Sequence, residues 1–471
     1  MHEERKVFFF VTFVAFAVHL IANVAAQPAA RQYIPYSDAK PIFDALRADL
    51  IPAEFRNSSS NQRETSWPEW VARRDADIRG RVAAGDEDSV VNFLLYGTTF
   101  TRRPRPTDRN MADLVSQPSV SEPWLRTRID DLVTALATPG ADERLHFARD
   151  VLSRHGIDPS TADGRTQASR YLERRTLDMS ATGALRTRSL LDPSSGELAD
   201  KLTVFRDRGL SSDTSIFIDY AIDATLAAMK AQHALGTTPV RRVAIIGPGL
   251  DFSDKLDGYD FYPPQTIQPF AVIDSLTRLG LSPASGLQIT AFDISRRILD
   301  HLAAAKARAR AGQTYRLVIP RNLDQSWSTP LIEYWRRFGD RIGTAGAPLT
   351  PPPNAGRAEV RSVLVRPSAV LSIETRDLNV VLQRAEPGAD AEPFDLVIAT
   401  NILLYYDVFE QSLAGVNIAR MLRPGGFLLT NDRIFELPTT PLAGTGYTDV
   451  NYFSLAGIGN TGTRVIWYQR Q

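Results

Sequence analysis

Cysteine is absent from the 471-residue chain, which excludes a disulfide framework, a zinc-thiolate site, an iron-sulfur cluster and a cysteine nucleophile. Histidine is scarce. The six in the sequence are scattered without ligand spacing, so no metal site is expected. Net charge is absent as well, 54 basic residues balancing 54 acidic ones, and nothing in that balance implies a polyanion or an acidic surface as partner. No nucleic acid is therefore expected. There is no internal repeat. What the chain does have is 43% hydrophobic residues, enough to bury a substantial core, and a length that suggests two or three domains.

The amino terminus carries a long apolar run. After MHEERK comes VFFFVTFVAFAVHLIANVAA, flanked by Arg5 and Lys6 and ending at Val24-Ala25-Ala26 before Gln27. This resembles a secretory signal with a small-residue cleavage site, and it is nearly long enough to stay as a membrane anchor through residues 7–26. Residues 1–26 are expected to be one or the other, which would make the protein secreted, periplasmic or membrane-bound. Residues 27–68, rich in proline, arginine and serine, are expected to be an irregular linker.

Residues 69–237 read as a mainly helical domain, because apolar residues recur at three and four. In EPWLRTRIDDLVTALA, for example, Trp124, Ile129, Leu132 and Leu136 share a face. LLYGTTFTRR, Leu94 to Arg103, reads as a helix end entering a loop. At Thr238 the pattern changes. Short β-branched runs, VAIIG (243–247), LQITAFD (287–293), AVLSIETRD (369–377), FDLVIATN (394–401) and FLLTND (427–432), now alternate with helical segments, interrupted by an insertion at about 312–366. Alternation of this kind predicts a parallel sheet with helices on both faces. The tail reads as two strands joined by a glycine-rich turn, so the last strand runs antiparallel to an otherwise parallel sheet.

In open α/β sheets ligands bind beyond the carboxyl ends of the strands, where strand order reverses. The residues at those ends are Gly247, Pro248, Gly249, Leu250 and Asp251, then Asp293, then Asp377 and Leu378, then Asn401 and Ile402. Glycines let the main chain approach a ligand closely. A carboxylate ending the second strand can accept both hydroxyls of a ribose, although Asp293 could instead cap the helix that follows. A polar or acidic residue after the third strand can hold an adenine amino group, with an apolar neighbour on the ring face. Together they describe a ligand that contains adenosine. A nicotinamide dinucleotide fits poorly: the third glycine of G-x-G-x-x-G is missing, the ribose acid lies too far along, and Asp251 and Asp254 would repel a pyrophosphate. An ammonium group suits them, and S-adenosylmethionine carries one without any phosphate.

GPGLD, FDIS, FDLVIATNILLYYD and MLRPGGFLLTND, in that order over residues 238–471, resemble the motifs of class I S-adenosylmethionine-dependent methyltransferases. FDLVIATNILLYYD followed by LRPGG is most similar to the chemotaxis-receptor (CheR-like) methyltransferases. The resemblance implies a Rossmann-like sheet of seven strands with the last reversed. It also implies that Gly247, Gly249, Asp293, Asp377, Leu378, Asn401 and Ile402 line the site for S-adenosyl-L-methionine. The chain departs from the family pattern at Ile245, where an acid is common, and at Asp251, where a third glycine is common; Asp251 is expected to supply the displaced carboxylate for the methionine ammonium.

Methyl transfer from a sulfonium needs alignment more than a catalytic triad. Should the acceptor be a hydroxyl or amine, Tyr259, Asp260, Tyr405, Tyr406 and Asp407 are candidate bases near the expected pocket mouth. The run from Asp251 to Thr266 reads as a lid or substrate loop. Pro424, Gly425 and Gly426 are expected to end a helix and turn into the fifth strand. The acceptor, a small molecule or a protein, is not legible. An alternative is a degenerate methyltransferase-like module that binds or interacts without catalysis, which the apolar leader favours, because S-adenosylmethionine is a cytosolic metabolite.

Overall fold

The computed structural model of the protein describes residues 32–106, 113, 118–191, 209–250, 259–283, 285–385, 392–438, 440–454 and 462–471. The apolar leader, Asp251 and Asp254 lie outside them. Among the described residues no helix is long and apolar enough to cross a membrane.

The main sheet is built from β1 (Arg242–Ile246), β2 (Gln288–Asp293), β6 (Ile373–Asp377), β7 (Phe394–Ile398), β8 (Leu422–Thr430), β9 (Leu442–Asn451) and β10 (Gly462–Arg470). Their order across the sheet is β6-β2-β1-β7-β8-β10-β9. The strands β6, β2, β1, β7 and β8 are parallel, while β10 runs antiparallel between β8 and β9. This is the α/β Rossmann-like sheet of seven strands with a reversed last strand. Strand order reverses between β1 and β7, and the register sets Ile246 beside Phe292 and Asp293 beside Asp377. The residues after these strands are thereby brought to one edge.

Because successive side chains of a strand point to opposite faces, β1 alone feeds two cores. Val243 and Ile245 pack with α6 (Ile216–Ala231), α7 (Gln268–Arg278) and α8 (Arg296–Arg310). Ala244 and Ile246 pack on the other face with α1 (Tyr36–Ala45), the first half of α2 (Ser60–Tyr96) and α11 (Val408–Met421). A third core joins Val90 to Tyr96 of α2 with α3 (Pro118–Ala137), α4 (Glu143–Arg154) and α5 (Ala162–Leu191). At 37 residues, α2 is about 55 Å long, which is how one helix serves both the sheet and the helical bundle. Its start is fixed by a capping box between Ser59 and Gln62.

Three expectations need correction, and the insertion gains a structure. The segment 27–68 is no irregular linker where it is described: it contains α1 and the first turns of α2. There Trp67 and Trp70 stack at 5.0 Å, Phe43 meets Phe409 of α11 at 4.9 Å, and the Trp67 indole donates to the Ile34 carbonyl at 2.8 Å. Prolines and polar residues hid an aromatic anchor. The helical domain does not extend to residue 237, because α6 packs on the sheet as one of its layers. The insertion is itself folded. Strands β3 (Tyr315–Asn322), β4 (Gly343–Ala345) and β5 (Ala358–Val365) form an antiparallel sheet, with α9 (Thr329–Arg337) between β3 and β4 and α10 (Pro367–Leu371) leading into β6. Finally, Pro424 to Gly426 lie inside β8 rather than in a turn before it; Gly425 has φ +74°, and the pairing with β7 shifts register there.

Candidate active site

Beyond the carboxyl ends of β1, β2 and β7 lies a cavity of about 650 Å³, within the size range of small-molecule sites. Its floor is the turn after β1. Gly247 and Gly249 have φ of +68° and +74°, a region open to glycine and strained for other residues. Space demands glycine as well: a Cβ on Gly247 would strike the Ile402 side chain, and one on Gly249 would lie 2.8 Å from the Asp213 carbonyl oxygen.

Asp213 belongs to a wall that sequence reasoning missed. Residues 209–215 pass between α2 and the β1 turn, with the Leu210 amide donating to the Arg81 carbonyl at 3.1 Å and the Leu250 amide to the Ser212 carbonyl at 2.6 Å. Where the segment crosses α2, two glycines meet: a Cβ on Gly85 would hit the Leu210 carbonyl, and one on Gly209 would hit Gly85. The segment ends at Ser215, whose hydroxyl caps α6. That cap is legible in the sequence; the crossing is not.

Asp293 ends β2 and lines the cavity. One of its oxygens accepts from the Ser295 amide at 2.7 Å, which holds the turn into α8; the cap position is Ser295, whose own side chain makes no capping bond. Burial pushes its carboxyl up to about 7; the amides of Ser295 and Ile294 pull it down and the nearby Asp377 charge adds to the rise. Asn401 takes a left-handed conformation, φ +58°, held by its neighbour across the sheet. Its amide donates to Asn431 Oδ1 at 2.7 Å, and Asn431 Nδ2 donates back to Asn401 Oδ1 at 2.6 Å. Asp432 then accepts from the amides of Leu403 and Leu404 at 3.0 and 3.3 Å, and burial raises its carboxyl to about 6. Together these bonds fix Ile402, Tyr405 and Tyr406, all of which line the cavity.

Gly247, Gly249, Asp293, Leu378, Asn401, Ile402, Tyr405 and Tyr406 are thus brought together. Asp377, Tyr259, Asp260 and Asp407 are not. The Asp377 carboxylate pairs with Arg79 of α2 at 2.7 Å, and Arg79 also binds Asp75 at 3.0 Å; the cavity is lined there by Leu378, Asn379 and Val380 instead. Asp260 is buried against the end of α2, accepting from the amides and hydroxyls of Thr98 and Thr99 at 2.6 to 2.7 Å. Tyr259 is buried with the Arg105 guanidinium 4.2 Å over its ring. Both therefore fasten the segment before α7 and are not at the cavity mouth. The expected lid fails over 259–266 for the same reason, since Gln265 exchanges two hydrogen bonds with Val318 of β3 at 2.7 and 2.8 Å. Asp407 caps α11 through the Glu410 amide at 2.9 Å.

Besides residues 209–215, sequence reasoning missed Val82 and Asp86 of α2, Gln268, Asn379 and Asn431. Gln268, at the start of α7, is buried and donates to the Thr400 hydroxyl at 3.0 Å.

No protein-family model matches the chain, and none of the curated proteins compared with it matches in sequence. Among solved structures it is similar to the magnesium protoporphyrin IX methyltransferase of Synechocystis PCC 6803 with bound SAM, at 12% identity and TM-score 0.26, over 62% of this chain and 92% of that one. It is similar to TrmN from Thermus thermophilus at 12% identity and TM-score 0.25, over 54% and 52%. It is also similar to the mitomycin 7-O-methyltransferase MmcR at 12% identity and TM-score 0.25, over 88% and 100%. At such scores the function has to be read from the site's own residues.

Proposed function

We propose that the protein is an S-adenosylmethionine-dependent methyltransferase. The observation that carries this reading is the charge of the cavity wall. Asp213 and Asp293 line it, together with Asp86, which is already paired with Arg154 at 2.6 Å, and among the described lining residues there is no lysine, arginine or histidine. A pyrophosphate would find no cation there, whereas an adenosine ligand bearing ammonium and sulfonium charges would find carboxylates. The cradle also fits the neutral parts of that ligand. Gly247 and Gly249 admit it against the main chain, Asp293 can accept from ribose hydroxyls, and Leu378, Val380 and Ile402 offer apolar surface to a flat base.

When bound, S-adenosylmethionine supplies a methyl group on a positive sulfur, which departs as a neutral thioether once an acceptor lone pair takes the methyl. The protein's part is to hold, align and exclude water. Asp213 and Asp293 would meet positive charge and hydroxyls, the locked pair of Asn401 and Asn431 would set the strand-end geometry, and Tyr405 and Tyr406 are the sequence-predicted bases among the cavity-lining residues described. The similarity of FDLVIATNILLYYD to receptor methyltransferases does not by itself name the acceptor.

A degenerate binding module is the second reading, favoured by the commitment of Asp377 to Arg79 in place of a ligand. Calorimetric titration with S-adenosylmethionine and S-adenosylhomocysteine tests the first reading, and turnover of S-adenosylmethionine to S-adenosylhomocysteine with an acceptor separates it from a module that binds without catalysis. Binding of either is expected; if neither binds, the methyltransferase reading fails.

A further inference from the structure

The two ends of the cavity differ in chemistry. Toward β1 and β2 the wall carries Asp213 over Gly249 and Asp293 at the end of β2. Past β7 in the sheet order, the lining comes from β8, β10 and the residues after β9: Asn431, Thr463, Tyr452 and Phe453, with Gln325 from the insertion. No described lining residue from these elements is charged. Phe217 of α6 completes this end, its ring centroid 5.1 Å from Tyr452 and 5.7 Å from Phe453. Behind it stands Trp327, 5.3 Å from Phe217 and bridged through its main chain to Phe453. The Trp327 indole donates to Gln325 Oε1 at 3.1 Å, so the amide that reaches the cavity is held by the aromatic cluster.

We propose that this end receives the methyl acceptor, and that the acceptor is an uncharged, flat aromatic small molecule with a polar substituent. The proposal rests on the other end holding the methyl donor. An anionic acceptor would find no cation on the described wall. A cationic acceptor would have to sit beside the donor's sulfonium, a like charge in a poorly solvated space. A neutral ring, by contrast, can pack edge-on or offset against Phe217, Tyr452 and Phe453, with side-chain amides and a hydroxyl at hand for its substituent.

The test is a calorimetric titration of the full chain, with and without S-adenosylhomocysteine, using 2-naphthol, 2-naphthoate and cyclohexanol as probes. 2-Naphthol is expected to bind, and the other two at least about tenfold more weakly, one lacking a counter-charge and the other an aromatic face. Phe453→Leu keeps apolar volume and removes the ring; it should weaken 2-naphthol roughly fivefold, the loss of one aromatic contact, while leaving S-adenosylhomocysteine affinity within about twofold. Thermal unfolding of the variant checks that it folds, and Tyr452→Leu serves as the second variant. No binding of 2-naphthol, equal binding of 2-naphthoate, or unchanged 2-naphthol affinity in both variants would overturn the proposal. Failure of S-adenosylhomocysteine to bind would sink the donor assignment instead, and the 2-naphthol titration of the unloaded protein still decides the aromatic end.

Discussion

Arg79 of α2 and Asp377 at the end of β6 form an ion pair at 2.7 Å. The pair ties the amino-terminal helix to the rim of the sheet. The same guanidinium binds Asp75 at 3.0 Å, and Asp75 in turn accepts from Asn379 Nδ2 at 2.8 Å. One cation therefore sets the strand end where a base would lie. Arg79→Ala leaves Asp75 and Asp377 without it and is expected to cost about 2 kcal/mol in urea unfolding, the scale of a charged hydrogen bond. It should also weaken S-adenosylhomocysteine binding. Asp377→Asn in the same background should restore part of the stability; no recovery would mean that Arg79 acts through Asp75 alone.

Asp293 is expected to make donor binding pH-dependent. Its carboxyl is raised to about 7, and hydroxyl donors from a ribose would favour the ionised form. Donor affinity should therefore rise with pH toward neutrality, by up to about tenfold per unit below pH 7. Stability runs the other way. Between about pH 4 and pH 7 the folded protein keeps a proton that the unfolded chain has released, so unfolding free energy falls as pH rises through that window. Asp293→Asn should flatten both slopes, the stability slope only in part because Asp274 and Asp432, each raised to about 6, have the same sign. Calorimetry at pH 5.5, 6.5 and 7.5 would check the first, and thermal unfolding the second.

Gly249→Ala strains a backbone at φ +74° and presses a methyl toward the Asp213 carbonyl. A destabilisation of about 1–3 kcal/mol is expected. Displacing residues 209–215 should also lower donor affinity at least about tenfold. If Gly249→Ala melts at a lower temperature yet binds S-adenosylhomocysteine as well as the parent, the contact is structural only.

Asp260→Ala separates fastening from chemistry. It leaves the Thr98 and Thr99 amides and hydroxyls without their acceptor, a loss of about 2–4 kcal/mol on the usual scale for buried charged hydrogen bonds. Donor affinity of the folded variant, measured below its unfolding transition, should stay near that of the parent. A large loss of affinity without loss of stability would return Asp260 to the site.

Much of the sheet was legible. The β-branched runs placed β1, β2, β6 and β7 to within a few residues, and Gly247, Gly249, Asp293 and Asn401 stand at the strand ends as reasoning from topology expects. Local patterns carried that information. What they could not carry was contact between distant segments. Asp260 looked like a pocket acid because its partners, Thr98 and Thr99, are some 160 residues away; Asp377 looked like a ligand-holding acid because Arg79 is still more remote in sequence. Residues 209–215 gave no sign of lining a cavity, since their place depends on two glycines meeting across α2. The aromatic anchor of residues 36–70 was masked by composition, as Pro41 and Pro68 sit inside helices rather than in a linker.

The span of α2 also bears on how the protein comes to exist in time. Arg74 hydrogen-bonds Glu410, a separation of 336 residues, and the cavity is lined by both Val82 and Thr463. During synthesis the amino-terminal helices emerge long before the strands they pack on, and contacts of such range are slow to form. The binding chamber is closed only after Thr463 has left the ribosome, so a truncated chain released earlier would carry the residues of the donor end but lack the strand that joins β9 to β8 and completes the wall.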